Sequence, residues 1–140
     1  MKVLNSNQAP EPVGPYPHAR KVGNLLFLSG VGPRQRSSKE IPGVTFDENR
    51  NVIAYDIEVQ CRAVFQNVKF VLEASGSRWE NLVDVTVYLT NMKADFPIVN
   101  KIYAEYFPNP ETQPCRTTVE VNALPTPIAI ELKCVAVLNN

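Results

Sequence analysis

Seven apolar side chains between Ile57 and Leu72 recur at the spacing of one helical face: Ile57, Cys61, Val64, Phe65, Val68, Val71 and Leu72. That period, near 3.6 residues, belongs to a helix half sunk in a core. It predicts a helix from Ile57 to about Ala74, with Asp56 placed to cap the first turn and Gly76 placed to end the last. The period then drops to two. Val83, Val85, Val87 and Leu89 alternate with Asp84, Thr86, Tyr88 and Thr90, which is the signature of a strand. A second helix is expected next, capped by Asp95, with Phe96, Val99, Ile102, Tyr103 and Tyr106 facing inward and Pro97 tolerated in its first turn. Two late strands, Arg116–Val121 and Ile128–Val137, are joined through Leu124-Pro125-Thr126-Pro127. Early in the chain, Ala19–Lys21 and Leu25–Ser29 flank Val22-Gly23-Asn24 as a tight hairpin. A polar loop runs from Pro33 to about Asn51, where Gly43 and Asp47-Glu48-Asn49 favour a turn or a short β excursion.

The predicted order is β-β-α-β-α-β-β. It describes an α+β layer, two helices packed on one face of a mostly antiparallel or mixed sheet. The last strand divides the faces: Ile130, Leu132 and Cys134 point toward the helices, and Glu131 and Lys133 point away together with Val135 and Val137. A face that mixes valines with a glutamate and a lysine reads as a subunit interface holding a polar site.

The chain has 140 residues, 44% apolar and 20% charged, which fits one domain over residues 1–140 without disulfides or a structural metal. Fourteen basic residues balance fourteen acidic ones, and neither half is strongly charged. No nucleic-acid partner is therefore expected. No apolar run reaches the roughly 18–20 residues of a membrane span, and no signal-peptide core follows the N-terminal Met-Lys, so a cytoplasmic protein is expected. Cys61, Cys115 and Cys134 lie far apart with no CxxC, the pattern of reduced thiols.

Several chemistries are missing. Ser29-Gly30-Val31-Gly32 is followed by Gln35 where a dinucleotide fingerprint needs its third glycine. One histidine and three scattered cysteines make no metal-ligand set, so neither metal nor cofactor is expected. His18, in a proline-rich segment, reads as a surface or rim residue. Cys115 beside Arg116 reads as a buried, inert thiol rather than an activated thiolate. Arg116 and Glu131 remain, each in or beside an apolar β segment, where an unpaired charge is expensive. They are either a structural ion pair between neighbouring strands, or an arginine fork for a substrate carboxylate beside a proton-moving carboxyl group.

The segments Pro114-Cys115-Arg116-Thr117-Thr118-Val119-Glu120-Val121, Leu124-Pro125 and Ile130-Glu131 resemble the C-terminal signature of the reactive intermediate deaminase (RidA, YjgF-type) family. Val13-Gly14-Pro15-Tyr16, Leu28-Ser29-Gly30 and Val99-Asn100-Lys101-Ile102-Tyr103 extend the resemblance over almost the whole chain. The resemblance implies a chorismate-mutase-like fold and a homotrimer with a ligand cleft at each subunit interface. It implies that Arg116 grips the substrate carboxylate, that Glu131 positions the hydrolytic water, and that Tyr16, Gly30, Asn100 and Thr118 line the cleft. Thr118 stands where many relatives have cysteine, and the Pro33–Asn51 loop is longer than the common form. The reaction implied is hydrolytic deamination of an enamine or imine. A subtype resemblance, to bacterial 2-aminomuconate deaminases of aromatic-compound catabolism, implies a dicarboxylate substrate and hence a second cation. Arg34 and Arg36 are the expected carriers, with Lys39 third. Alternatives are a general 2-aminoacrylate-type imine deaminase, or a non-catalytic protein that binds small carboxylates in the same cleft. Neutral charge disfavours ribonuclease activity.

Overall fold

The structure, a computed structural model, describes residues 1–138. Helix α1 spans Ile57–Ala74, as its stripe predicts. Asp56 starts it by accepting from the Val59 N–H at 3.2 Å, and Gly76, with φ +79°, follows its end. Cys61, Val64, Phe65, Val68 and Leu72 are completely buried. Burial of each large apolar side chain on that stripe contributes about 1.5–3 kcal/mol.

The strands are β1 (Lys2–Leu4), β2 (Ala19–Val22), β3 (Leu25–Leu28), β4 (Val44–Phe46), β5 (Val52–Tyr55), β6 (Leu82–Leu89), β7 (Cys115–Glu120) and β8 (Ile130–Val137); helix α2 is Met92–Tyr106. Six strands make one sheet in the order β1-β2-β3-β8-β6-β7. Every pairing is antiparallel except β6 with β7, where α2 supplies the crossover that a parallel pair requires. Gly23, at φ +61°, turns β2 into β3. Both helices cover one face, and α1 packs on β8 and α2 on β6. The α+β layer of two helices on a mixed sheet is thus the observed architecture. β8 shows the expected alternation: Ile130, Leu132, Cys134 and Ala136 are buried, and Glu131, Lys133, Val135 and Val137 are half-buried on the other face.

The polar loop holds the short β excursion expected of it, the hairpin β4–β5, which stands apart from the main sheet. Four differences from the sequence reading have local causes. The N-terminus adds β1, paired with β2. Val83 falls at an irregularity in the pairing of Leu82–Asp84 with β8, so it leaves the alternation and is exposed. The strand after the proline-rich connection begins at Ile130 rather than Ile128, and β7 covers Cys115–Glu120. Helix α2 is capped by Asn91, whose Oδ1 accepts from Ala94 N–H at 3.1 Å, not by Asp95. Pro97 is therefore the sixth helical residue, past the first turn, where its ring removes a bond to the Lys93 carbonyl. Asp95 is instead buried, and accepts a 2.7 Å hydrogen bond from the Tyr55 hydroxyl. Burial pushes its carboxyl up, opposed by that bond, and pushes the Tyr55 phenol up to about 12.

Two polar side chains on the buried face of α1 hold loops that the sheet does not reach. Gln60 Oε1 accepts from Ala129 N–H at 2.8 Å. Asn67 Nδ2 donates to the carbonyls of Gly32 (2.9 Å) and Arg34 (2.7 Å). Among the described residues, no helix is long and apolar enough to cross a membrane. Replacing Asn67 by alanine strands both carbonyls at a semi-buried site. Asn67→Ala should lower stability by about 1–3 kcal/mol, read as a lower urea midpoint at unchanged m-value; an unchanged midpoint would show that water takes over both bonds freely.

Candidate active site

Glu131 lies on the face of β8 away from the helices, and its carboxylate is seated against Gly30, just past the end of β3. A Cβ at Gly30 would collide with Glu131 Oε1, so only glycine lets the carboxyl sit there. Burial pushes the Glu131 carboxyl above its ordinary 4.5, opposed by the positive charge of Arg34. No ion pair among the described residues includes Glu131. Lys133, two residues along on the same face, donates from Nζ to the Leu28 carbonyl, and burial lowers its pKa. The carboxyl and the ammonium thus meet the same short stretch, Leu28–Gly30. Around Gly30 a cleft is lined by Pro10, Pro12, Tyr16, Ser29 and Arg34.

Arg116 occupies a different place. Nη1 donates to Asn100 Oδ1 at 2.8 Å, and the guanidinium lies 4.6 Å from the Tyr103 ring centroid and 5.7 Å from that of Phe96. All three partners are on α2. A planar cation stacked on aromatic faces is held in orientation while donors stay available for a carboxylate. Thr118 Oγ1 and the Tyr103 hydroxyl are buried without a hydrogen-bond partner among the described residues. Burial pushes the Tyr103 phenol up to about 12, against the pull of Arg116.

The register of three strands decides how these groups relate. Val85 of β6 pairs with Arg116 of β7 and with Cys134 of β8; Tyr88 pairs with Val119 and with Glu131. Directly paired residues share a face. Arg116 therefore belongs to the helix-covered face, with Val85 and Cys134, and Glu131 belongs to the open one. A structural ion pair between them is excluded, because the sheet lies between their side chains. Tyr16, Gly30, Arg34 and Glu131 form one half-site; Arg116, Asn100 and Thr118 form another, with Phe96 and Tyr103 behind the guanidinium.

The loop arginines also separate. Arg34 donates one bond to Glu11 O (2.8 Å) and reaches the Gly30 cleft. Arg36 is engaged with main-chain carbonyls, Nε to Ala9 O (2.9 Å) and Nη2 to Ser6 O (3.0 Å). Lys39 is exposed, and its carbonyl accepts from Arg50. Two expectations need correction. His18 is buried rather than a surface residue, with both ring nitrogens bonded to backbone of the N-terminal segment, and it lines the Gly30 cleft. Cys115 is exposed, because it opens the edge strand β7; the buried thiols are Cys61 and Cys134, each pushed up to about 12 by burial. The sequence reading treated Phe96 and Tyr103 only as core and Lys133 only as a face marker. The signal for the aromatic pair was their spacing around Asn100 on one helix. Among the described residues no cluster of His, Cys, Asp and Glu could hold a metal ion.

The family model described as Endoribonuclease L-PSP matches residues 6–138. A RutC family protein of Pyrococcus horikoshii is 39% identical over 135 residues, 96% of each chain. A 2-iminobutanoate/2-iminopropanoate deaminase of Dermatophagoides farinae is 33% identical over 138 residues, 98% of this chain and 96% of the relative. The crystal structure of E. coli TdcF with bound serine superposes with a TM-score of 0.83 at 28% identity, covering 99% of this chain and all of that one. With strand order, helix placement and sequence in agreement, the chain belongs to the Endoribonuclease L-PSP family, the YjgF-type proteins, and carries their chorismate-mutase-like fold.

Proposed function

We propose that the chain is a hydrolytic deaminase of enamine and imine carboxylates, assembled as a homotrimer whose clefts join the two half-sites of neighbouring copies. The observation that carries the reading is the Glu131–Gly30 contact, a half-buried carboxyl outside every ion pair among the described residues, seated against backbone without a side chain at the edge of a cleft. The relative named as a 2-iminobutanoate/2-iminopropanoate deaminase, another named as a reactive intermediate deaminase, and the structure solved with bound serine support it. So does the open sheet face, where Val22, Leu25, Phe27 and Val119 are partly exposed alongside Glu131 and Lys133. Exposed apolar patches around polar groups mark interaction surfaces, which supports the assembly proposed.

The steps follow from the groups. Arg116 holds the carboxylate next to the imine carbon in one plane, which fixes the carbon for attack. Glu131 takes a proton from water as the oxygen bonds to that carbon, giving a carbinolamine. That proton passes to the nitrogen to complete the carbinolamine; Glu131 then takes the hydroxyl proton and delivers it to the nitrogen as the C–N bond breaks, so that a ketone and ammonia leave. None of these steps draws on a cofactor. The finer reading is a dicarboxylate substrate such as 2-aminomuconate, with Arg34 as the cation for the far carboxylate, since Arg34 lines the cleft and has donors left over. Arg36 does not fit that role, because its guanidinium is committed to Ser6 O and Ala9 O. The neutral net charge gives no surface for a phosphate backbone, so the ribonuclease in the family's description is not the activity proposed.

Ammonia release from enzymatically generated imines tests the activity. Arg116→Ala and Glu131→Gln should each lose about 10²–10⁴-fold in turnover. Mixed and refolded together, the two inactive proteins should regain activity, with about one cleft in four receiving both intact residues in a randomly mixed cyclic trimer. No recovery would place the whole site in one chain and end the shared-cleft reading.

A pH profile tests the base. Because burial raises the Glu131 pKa, the carboxylate form is lost as pH falls through a value above 4.5. kcat/KM should show an acid limb there, and Glu131→Gln should abolish it.

For the far carboxylate, Arg34→Ala should cost about tenfold to a hundredfold in kcat/KM on 2-aminomuconate, the worth of one charged hydrogen bond. On 2-aminoacrylate, which is too short to reach it, the loss should be several-fold smaller, confined to the strap contact with Glu11 O and to the charge that Glu131 feels. Arg36→Ala should weaken both substrates equally by loosening the N-terminal segment. Equal losses for Arg34→Ala would overturn its part in specificity.

A further inference from the structure

Residues Ser6–Tyr16 form a strap outside the sheet, and side chains hold its main-chain groups. Arg36 takes the carbonyls of Ser6 and Ala9, and Arg34 takes that of Glu11. Ser6 Oγ accepts from the N–H groups of Gln8 and Ala9, both at 3.1 Å. His18 completes the set. The Ser6 N–H donates to Nδ1 at 2.9 Å, and Nε2 lies 2.7 Å from the Pro10 carbonyl oxygen. A backbone N–H only donates and a carbonyl only accepts. Nε2 must therefore carry a proton and Nδ1 must not, so a single neutral tautomer satisfies both bonds.

The backbone of His18 extends the same connection. Its N–H donates to Asn5 Oδ1 at 3.1 Å, and its carbonyl accepts from the Ser29 N–H at 3.0 Å. Ser29 precedes Gly30, against which Glu131 is seated. The ring thus holds the strap while the peptide holds the opposite lip, and both border one cleft with Tyr16 and Arg34. The charged and titratable groups of the strap and its cleft are Tyr16 and Glu11 on the strap, Arg34 and Arg36 bonded to strap carbonyls from the loop after β3, and Glu131 from β8 behind Gly30; α1 brings only the apolar Val71 to this cleft. Glu11 is already engaged, its carboxylate accepting from the Ser37 N–H at 3.1 Å. A proton on Nδ1 would set N–H against N–H at Ser6 in a neighbourhood that already holds two guanidinium groups.

We propose that neutral His18, in its Nε2–H form, is a positioning residue for the substrate cleft: it seats the strap that carries Tyr16, and protonation of the ring unseats that strap. The proposal rests on the cleft of the proposed function being the substrate site. His18 is the only histidine in the chain, so its ring nitrogens are unambiguous in ¹⁵N NMR of the full-length protein. At pH 8 the ring should be the Nε2–H tautomer and the Ser6 amide should exchange slowly with solvent. As the pH is lowered, conversion to imidazolium, faster Ser6 exchange and a rising KM should run together. His18→Leu should raise KM about five- to tenfold, for two lost hydrogen bonds, with a smaller change in kcat. His18→Gln, which offers an amide N–H to Pro10 and an amide oxygen to Ser6, should rescue most of that loss and flatten the dependence of KM on pH. An Nδ1–H tautomer, ring protonation without faster Ser6 exchange, or a wild-type KM in His18→Leu would overturn the proposal. The titration of the wild-type protein decides even if the leucine variant does not fold. Full turnover in Arg116→Ala and Glu131→Gln would instead overturn the proposed function, and the ring tautomer with Ser6 exchange would still decide the seat.

Discussion

Strand β8 lies between β3 and β6, so each of its residues must face either the helices or the open side of the sheet. The alternation of apolar Ile130, Leu132 and Cys134 with Glu131 and Lys133 is the constraint on which the rest depends. Shifting the strand by one residue would put a glutamate and a lysine into a dry core and three apolar side chains outside, at a cost of many kcal/mol. The register that avoids this also fixes the chemistry. Glu131 cannot reach Arg116, because the strand pairing that protects the core puts the sheet between them. Under the proposed function the two groups come together only across two copies, and the open face that would join them is partly apolar.

Each half-site is held by a different physical device. Arg116 is oriented by contacts from one helix, Asn100 at its edge and two aromatic rings beneath. These contacts leave the cation accessible without leaving it loose. Glu131 is held by exclusion: Gly30 offers it space rather than a bond, and burial keeps its proton affinity high. The first arrangement suits a group that binds charge throughout a reaction, the second a group that must exchange a proton during one.

The loops around the cleft have few ladder hydrogen bonds and are fixed by long side chains. Asn67 reaches from α1 to Gly32 and Arg34, Gln60 reaches to Ala129, and Arg34, Arg36 and His18 reach to the strap. Irregular backbone needs such partners, since each unpaired main-chain group away from water is costly. The helix beneath the sheet is therefore also a scaffold for the lip of the site, through polar residues on its buried face.

Local patterns were enough to place α1, because its apolar stripe, its Asp56 cap and Gly76 all act within one or two turns. They also placed β8 to within two residues and divided its faces; the cost of a charge in an apolar strand singled out Arg116 and Glu131, and the family resemblance added Tyr16, Gly30 and Asn100. Other features were illegible because they depend on residues distant in sequence. Asn91 and Asp95 are both acceptable caps to local physics, and what removed Asp95 from the choice was Tyr55, forty residues earlier. His18 looked like a surface residue because nothing nearby in sequence reveals that Ser6 and Pro10 fold back onto its two nitrogens. The opposite facing of Arg116 and Glu131 needed the pairing of β7, β6 and β8, in which two connections of very different length meet in one register. Short-range periodicity determines which side of its own element a residue takes; only the sheet, by setting elements side by side, decides which residues share a side.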